Sequence, residues 1–290
     1  MPVLGIDIGG TKIAAGVVDA GARMVESVVL PTRAAEGYAV SYGQLRKAIE
    51  TILREGTTAI GICAPGPLNP KTGLIVNPTN LPGWVNVPLA RQISEAYGLP
   101  CRVENDANAA GLAEARFGAG RGFSSVFYVT LSTGIGTGII LDGKIYHGRN
   151  GQAGEGGHIT IDYLAPVRCN CGVPGCIEGL ASGTAIARRA GRSAEAVARA
   201  AAEGDAAAIE ALEEMALRLG AWLGSVISLL DPDIVVIGGG VAGIGEPLFS
   251  RLRRIVPSRS INQFADQTPI VPAELGSNAG MVGAASPFLE

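Results

Sequence analysis

VLGIDIGGTKIAAGVV, residues 3–18, reads as two β-rich runs, VLGIDI and IAAGVV, joined by the turn Gly9-Gly10-Thr11-Lys12. Aliphatic and β-branched residues on both sides of a glycine turn predict a hairpin with a polar tip. The arrangement recurs further along the chain. Residues 124–131 and 138–141 predict strands flanking a second glycine tip, STGIGTG, at 132–138. Two units of strand, glycine tip and strand imply two related halves facing each other across a cleft.

Helices and strands alternate around these hairpins. Leu45, Ala48, Ile49, Ile52 and Leu53 give an apolar face to a helix over 42–54, and an apolar strand over 58–64 ends at Pro65-Gly66-Pro67. A short amphipathic helix is expected over 87–97, a strand over 101–104 and an alanine-rich helix over 108–117. Residues 190–202 read as helical. Asp205 then has the chemistry of an N-cap for a long helix whose apolar positions run from Ile209 to Leu230, stopped by Asp231-Pro232. IVVIGGG at 234–240 predicts a buried strand entering a glycine turn and then a helix, and the small residues of 276–285 predict a closely packed closing helix. The alternation places the chain in the α/β class.

At 290 residues the chain is long enough for two domains with separate cores. A net charge of −3, with no run of Lys and Arg, argues against a nucleic-acid surface. The apolar stretch around 221–230 is too short to span a bilayer, and Met1-Pro2 leads into VLGIDI with no secretory leader, so a cytoplasmic protein is expected. Five cysteines, an odd count in a chain of this size, make a disulfide framework unlikely. Cys63 and Cys101 adjoin apolar stretches and read as buried thiols.

The other three cysteines have company. GEGGH at 154–158 and CNCGVPGC at 169–176 bring one of the chain's two histidines, His158, close in sequence to Cys169, Cys171 and Cys176. Three thiols and an imidazole are the donor set of a tetrahedral structural zinc site, and Gly172 and Gly175 let the loop fold tightly. A fortuitous cluster is the bland alternative, and the scarcity of both residue types weighs against it. Such a metal would tie down the loop carrying Glu155 and Glu178.

Adjacent glycines at Gly9 and Gly10 can present backbone amides to an oxyanion, with a hydroxyl from Thr11, a charge from Lys12, and Asp7 placed to hold Mg²⁺. The same tip alone would serve as a tight turn, as would Thr133-Gly134-Ile135-Gly136-Thr137-Gly138. Two such tips together favour nucleotide binding. Gly238, Gly239 and Gly240 offer a further close approach, fit for a purine and ribose or for packing. In Glu104-Asn105-Asp106 the carboxylate of Asp106 is either an N-cap or a general base that accepts a hydroxyl proton during phosphoryl transfer, help typically worth about 10²–10⁴ in rate. Asn80, Asn105, Glu155, His158 and Glu178 are the kind of acceptors that fix several sugar hydroxyls. Trp84, after Leu81-Pro82-Gly83, fits a hydrophobic loop anchor better than a sugar-stacking platform.

Together DIGGTK at 7–12, APGP at 64–67, NPTNLPGW at 77–84, ENDANA at 104–109, STGIGTGI at 132–139, EGGH at 155–158, CNCGVPGCIE at 169–178 and GGGV at 238–241 resemble, in this order, the ROK family of sugar kinases and repressors. The resemblance implies a two-domain actin-like ATPase (ribonuclease H-like) fold with the active site in the interdomain cleft. It implies a small α/β domain over 1–118, completed by a closing helix at 277–290, and a large α/β domain over 119–276 with the zinc loop. It makes Asp106 the base and gives the ATP phosphates to Gly9, Gly10, Thr11, Lys12 and to Thr133, Gly134, Gly136, Thr137 and Gly138. Gly238 to Gly240 lie by the adenosine, and His158, Cys169, Cys171 and Cys176 hold Zn²⁺. The sugar falls to Gly66, Asn80, Asn105, Asp106, Glu155, His158 and Glu178, with one ring nitrogen of His158 on zinc and the other on sugar.

Repressors of the family carry an added DNA-binding segment, and this chain begins at the first catalytic strand, so a kinase is expected. The form CxCGxxGC resembles glucokinase and N-acetylhexosamine kinase members. The reading is ATP- and Mg²⁺-dependent phosphorylation of a hexose at its 6-hydroxyl, with glucose the first substrate and N-acetylglucosamine or N-acetylmannosamine the alternative. A non-catalytic sugar sensor is the reading from another class. A homodimer or dimer of dimers, with no nucleic-acid or membrane partner, completes the expectation.

Overall fold

The structure is a computed structural model describing residues 1–167 and 169–289. In chain order it runs β1 (Val3–Ile8), β2 (Lys12–Val18), β3 (Met24–Pro31), α1 (Tyr38–Ile52), β4 (Ile60–Ala64), β5 (Leu68–Asn69), β6 (Leu74–Ile75), α2 (Leu89–Tyr97), β7 (Cys101–Asn105) and α3 (Asp106–Phe117). Then come β8 (Ser125–Leu131), β9 (Ile135–Leu141), β10 (Lys144–Ile145), α4 (Ile177–Ala181), α5 (Gly183–Ala190), α6 (Ala194–Ala202), α7 (Ala206–Leu230), β11 (Ile234–Gly238), α8 (Glu246–Ile255), β12 (Ile270–Pro272) and α9 (Ala279–Ala285). Among the described residues no helix is long and apolar enough to cross a membrane.

The chain forms two compact units. The first comprises Met1–Phe117, Lys144–Ala153 and Ser277–Glu290, of which Glu290 lies outside the described residues. Its sheet has the order β3-β2-β1-β4-β7. β1 and β2 pair antiparallel from Val3↔Val18 to Ile8↔Ile13, and β4 and β7 extend the sheet in parallel. The core lies between this sheet and α1 and α2, around Ile6, Ile13, Leu45, Ile49, Ile62, Trp84 and Ile93, all fully buried. Trp84 is the anchor of its loop: its indole N–H donates to Ser41 Oγ at 2.7 Å and its ring meets those of Tyr38 and Tyr42.

The small residues of α9 have a packing reason. A Cβ on Gly61 of β4 would run into the Ala284 carbonyl, and one on Gly283 would run into the Ala109 carbonyl of α3. Backbone thus meets backbone on both sides of α9, a distance that only glycine permits.

The second unit comprises Gly118–Gly143 and Gly154–Gly276. Lys144–Ala153, expected from sequence in the large domain, clusters with the first unit instead. Within the second unit β8 pairs antiparallel with β9 and parallel with β11, which pairs parallel with β12. The hairpin followed by parallel strands repeats the first unit's pattern, of which the two glycine tips predicted the hairpin. α7 supplies much of the core through Met215, Leu219, Trp222, Leu223 and Val226, with the Trp222 ring edge-on to Phe127 at 5.9 Å.

Several local expectations need correction. β3 was not foreseen: as an edge strand carrying Glu26 it is exposed along much of its length, so its pattern is not that of a buried run. α1 begins at Tyr38 rather than residue 42, after Gly37 at φ 87°. The helix expected over 190–202 starts only at Ala194, because Gly191 ends the preceding helix α5 at φ 66° and Ser193 caps α6 by accepting from Ala196 N at 3.2 Å. Asp205 caps α7 as expected, accepting from Ala208 N at 3.1 Å.

Candidate active site and metal centre

In the first unit the hairpin tip is held from behind. Gly9 N donates to Lys12 O at 2.9 Å, the buried Thr32 hydroxyl donates to Gly9 O at 2.6 Å, and Thr32 N donates to Thr11 O at 2.9 Å. Thr11 and Lys12 are exposed. Neither Gly9 nor Gly10 has positive φ, so left-handed backbone is not what calls for glycine here. Space requires Gly10, since a Cβ there would lie 2.9 Å from the Asn80 carbonyl, which places the predicted sugar ligand Asn80 against the predicted phosphate tip.

Asp7, next to the tip on β1, lies against α9, where a Cβ on Gly280 would come within 2.6 Å of its Oδ2. Burial raises its pKa, opposed by the Cys63 thiol and by the charge of Lys12. Cys63 is fully buried, hydrogen bonded to Gly280 O at 3.4 Å, and its pKa is pushed far up by burial. Cys101 is likewise raised by burial, to about 12. Gly66 lies half-buried between β4 and β5.

The junction of β7 and α3 bears on the capping reading of Asp106. α3 begins at Asp106, not at residue 108, and its cap is Asn105, whose Oδ1 accepts from Ala107 N at 3.0 Å and Asn108 N at 3.1 Å. Asp106 is the first helical residue, its Oδ1 accepting from Ala107 N at 2.8 Å. Capping therefore falls to the neutral amide, and a carboxylate is set at the positive end of the α3 dipole.

Beside these residues are two that the sequence reading did not assign. Glu104 Oε1 accepts from Asn105 N at 2.9 Å and from Asn108 Nδ2 at 3.1 Å, while Glu104 Oε2 is 2.7 Å from His147 Nε2. His147 is the chain's other histidine, and that scarcity was the only signal of it.

In the second unit the turn is shorter than STGIGTG suggested. Ser132, Thr133 and Gly134 form it, with Ser132 N donating to Gly134 O at 2.9 Å, and β9 resumes at Ile135. Gly136, Thr137 and Gly138 therefore lie in a strand. The buried Thr137 hydroxyl donates to Gly154 O and accepts from Gly156 N at 2.9 Å, so it shapes the GEGGH loop. That loop carries Glu155, which is exposed, and His158. Gly238 ends β11; Gly239 has φ 88° and faces the Leu131 carbonyl, and Gly240 has open space around it.

Glu178, in the first turn of α4, accepts from Ile135 N at 2.9 Å through Oε2 and from the Cys169 thiol at 3.2 Å through Oε1. It thus links the turn to the cysteine loop. Donor atoms of His158, Cys169, Cys171 and Cys176 all lie within 4.8 Å of one another. The Cys171 and Cys176 sulfurs are 3.5 Å apart, and Cys169 Sγ is 3.6 Å from His158 Nδ1. Tetrahedral zinc with Zn–S bonds of about 2.3 Å needs donors separated by about 3.7 Å, so the set fits that ion. The separations also exclude disulfides, and all five cysteines are free. His158 directs Nδ1 at the thiols, leaving Nε2 for another partner. Burial raises the Cys169 thiol; at Cys171 burial also raises it but is outweighed by hydrogen bonds from the Val173 amide and neighbouring thiols, which lower it.

The sequence and the fold have close parallels. The ROK family model matches residues 3–290. A glucokinase of Halalkalibacterium halodurans is 34% identical over 97% of this chain and 92% of its own. Among solved structures, a ROK hexokinase of Thermus thermophilus is 41% identical, with a TM-score of 0.84 over 98% of this chain and 97% of the other. A ROK glucokinase of Streptomyces griseus, solved with glucose and AMPPNP, is 35% identical, with a TM-score of 0.86 and 99% of each chain covered. The two-sheet, two-unit architecture is the actin-like ATPase fold of these kinases. With sequence and fold matched from end to end, the chain belongs to the ROK family.

Proposed function

We propose that the protein is an ATP-dependent hexose kinase that converts glucose to glucose 6-phosphate. The observation that carries this reading is full-length likeness to glucokinases, one of them solved with glucose and an ATP analogue. The Asn105 cap supports the chemical role of Asp106, because the carboxylate is not needed to cap α3. In the proposed reaction Asp106 accepts the proton of the 6-hydroxyl as that oxygen attacks the γ-phosphorus and ADP leaves. Asn80, Asn105, Glu155, His158 and Glu178, with the backbone at Gly66, orient the sugar.

The tip at Gly9, Gly10, Thr11 and Lys12, and the turn at Thr133 and Gly134, donate to the phosphates as charge develops on the transferring group. Gly136 and Gly138 would contribute as strand backbone, Thr137 by shaping the loop of Glu155, and Gly238, Gly239 and Gly240 by admitting the adenosine. Bound Mg²⁺ neutralises charge on the polyphosphate, and Asp7 is the residue proposed to hold it. Zn²⁺ on His158, Cys169, Cys171 and Cys176 is proposed as structural, since four protein donors leave no open coordination position. A cytoplasmic homodimer or dimer of dimers supplying glycolysis accompanies this reading, and sedimentation of the purified protein tests the assembly.

The role of Asp106 is tested by Asp106→Asn. Turnover should fall by about 10²–10⁴ while glucose still binds in calorimetry. Undiminished turnover would remove Asp106 as the base.

A further inference from the structure

We propose that His147 is a positioning residue for the base, acting through Glu104 on the entry to α3. The inference rests on the reading of Asp106 given above. Its geometry is a relay of three contacts within the first unit. His147 Nε2 meets Glu104 Oε2 at 2.7 Å, and the other oxygen of the same carboxylate takes Asn105 N at 2.9 Å and Asn108 Nδ2 at 3.1 Å. Asn105 in turn caps the helix whose first residue is Asp106. Asn108 depends on Glu104 for its orientation: its Oδ1 is buried with no partner among the described residues. Both oxygens of Glu104 are thus committed, one to the helix entry and one to His147.

The turn that carries His147 is fixed as well. His147 O accepts from Ala153 N at 3.1 Å, closing the 147–153 turn. Lys71 Nζ donates to Arg149 O at 3.2 Å, and Gln152 Nε2 donates to Leu68 O at 3.3 Å, which dock the turn on the β5–β6 hairpin. A carboxylate held between a side chain on a docked turn and a helix start has little freedom. Loss of the clamp frees Glu104 to turn away and lets the first turn of α3 relax, and with it Asp106.

The charged groups acting on His147 are Glu104 from β7 and Lys71 from the β5–β6 turn. The hydrogen bond to Glu104 raises the imidazole pKa above its ordinary value, with burial and Lys71 opposing. The contact is a charge-assisted pair when the ring is protonated and a weaker neutral hydrogen bond above the raised pKa. Turnover should therefore carry an alkaline limb that belongs to His147.

The test measures kcat, KM for glucose and calorimetric glucose affinity across pH 5.5–9 (roughly the range in which a histidine titrates) for the parent, His147→Ala, His147→Gln and Asp106→Asn. In His147→Ala, kcat should fall roughly ten- to hundredfold, the scale of a misplaced catalytic group, with glucose affinity held. In His147→Gln, an uncharged donor, most turnover at neutral pH should return and the alkaline limb should vanish. Parental kcat in His147→Ala, or an alkaline limb that persists in His147→Gln, overturns the proposal. Should the alanine variant not fold, the glutamine profile decides alone. If Asp106→Asn retains turnover, the base reading fails. If Asp106→Asn is inactive while both His147 variants match the parent, only the positioning role fails.

Discussion

Asp7 and His147 carry opposite electrostatic burdens, and each gives a pH dependence of stability with a definite sign. Burial raises the Asp7 pKa, only partly opposed by Cys63 and Lys12. A carboxyl whose folded pKa exceeds its unfolded value subtracts stability as pH rises from the unfolded pKa through the folded one. Asp7→Asn should therefore raise Tm at neutral pH, lose that advantage at pH below the unfolded carboxyl pKa, and abolish turnover with Mg²⁺-ATP. A lower Tm at neutral pH would contradict this. His147, raised chiefly by Glu104, contributes stability that is present below its unfolded pKa and lost as pH rises through the folded pKa. The Tm difference between the parent and His147→Gln should accordingly be largest in mildly acidic solution and shrink in alkali. At this scale Asp106 and the cysteine loop could be picked out as candidates because their chemistry is local in sequence. His147 was not, because its partner is 43 residues away and only the fold joins them.

The hairpins and buried strands were legible as elements because a run of aliphatic residues ending in glycine has few other solutions. β3 escaped because an edge strand needs no continuous apolar face, and the start of β9 escaped because glycines in a strand look like a turn. The boundary between α5 and α6 was written in Gly191 and Ser193, a stop and a start two residues apart, and alanine-rich flanks masked it. α9 was recognised by its small residues, and the structure supplies the reason: its backbone packs on Gly61 and, through Gly283, on α3. Gly61→Ala should cost at least about 1–3 kcal/mol, the usual penalty of overpacking, read as a lower denaturation midpoint in urea. An unchanged midpoint would mean that α9 moves aside without penalty.

For the whole molecule, the recurrence of the hairpin was visible in two glycine tips, whereas the parallel strands beside each hairpin and the assignment of Lys144–Ala153 to the first unit were not. That segment lies between stretches of the second unit, and composition carries no mark of the exchange. The metal centre gives a prediction for the whole second unit. Cys171→Ser should lower zinc content, Tm and glucose affinity together, because Cys169 lies directly beside Glu178, which also holds the Ile135 amide. Parental glucose affinity in a zinc-free variant would separate the metal from the sugar.

The proposed function is phosphorylation of glucose. It is tested most directly by ADP formation from Mg²⁺-ATP with glucose, N-acetylglucosamine, N-acetylmannosamine, mannose and fructose in turn. The account predicts the highest kcat/KM on glucose, with glucose 6-phosphate as the product. A protein that binds glucose in calorimetry yet forms no ADP with any of these sugars would contradict it and mark the chain as a sugar-binding sensor.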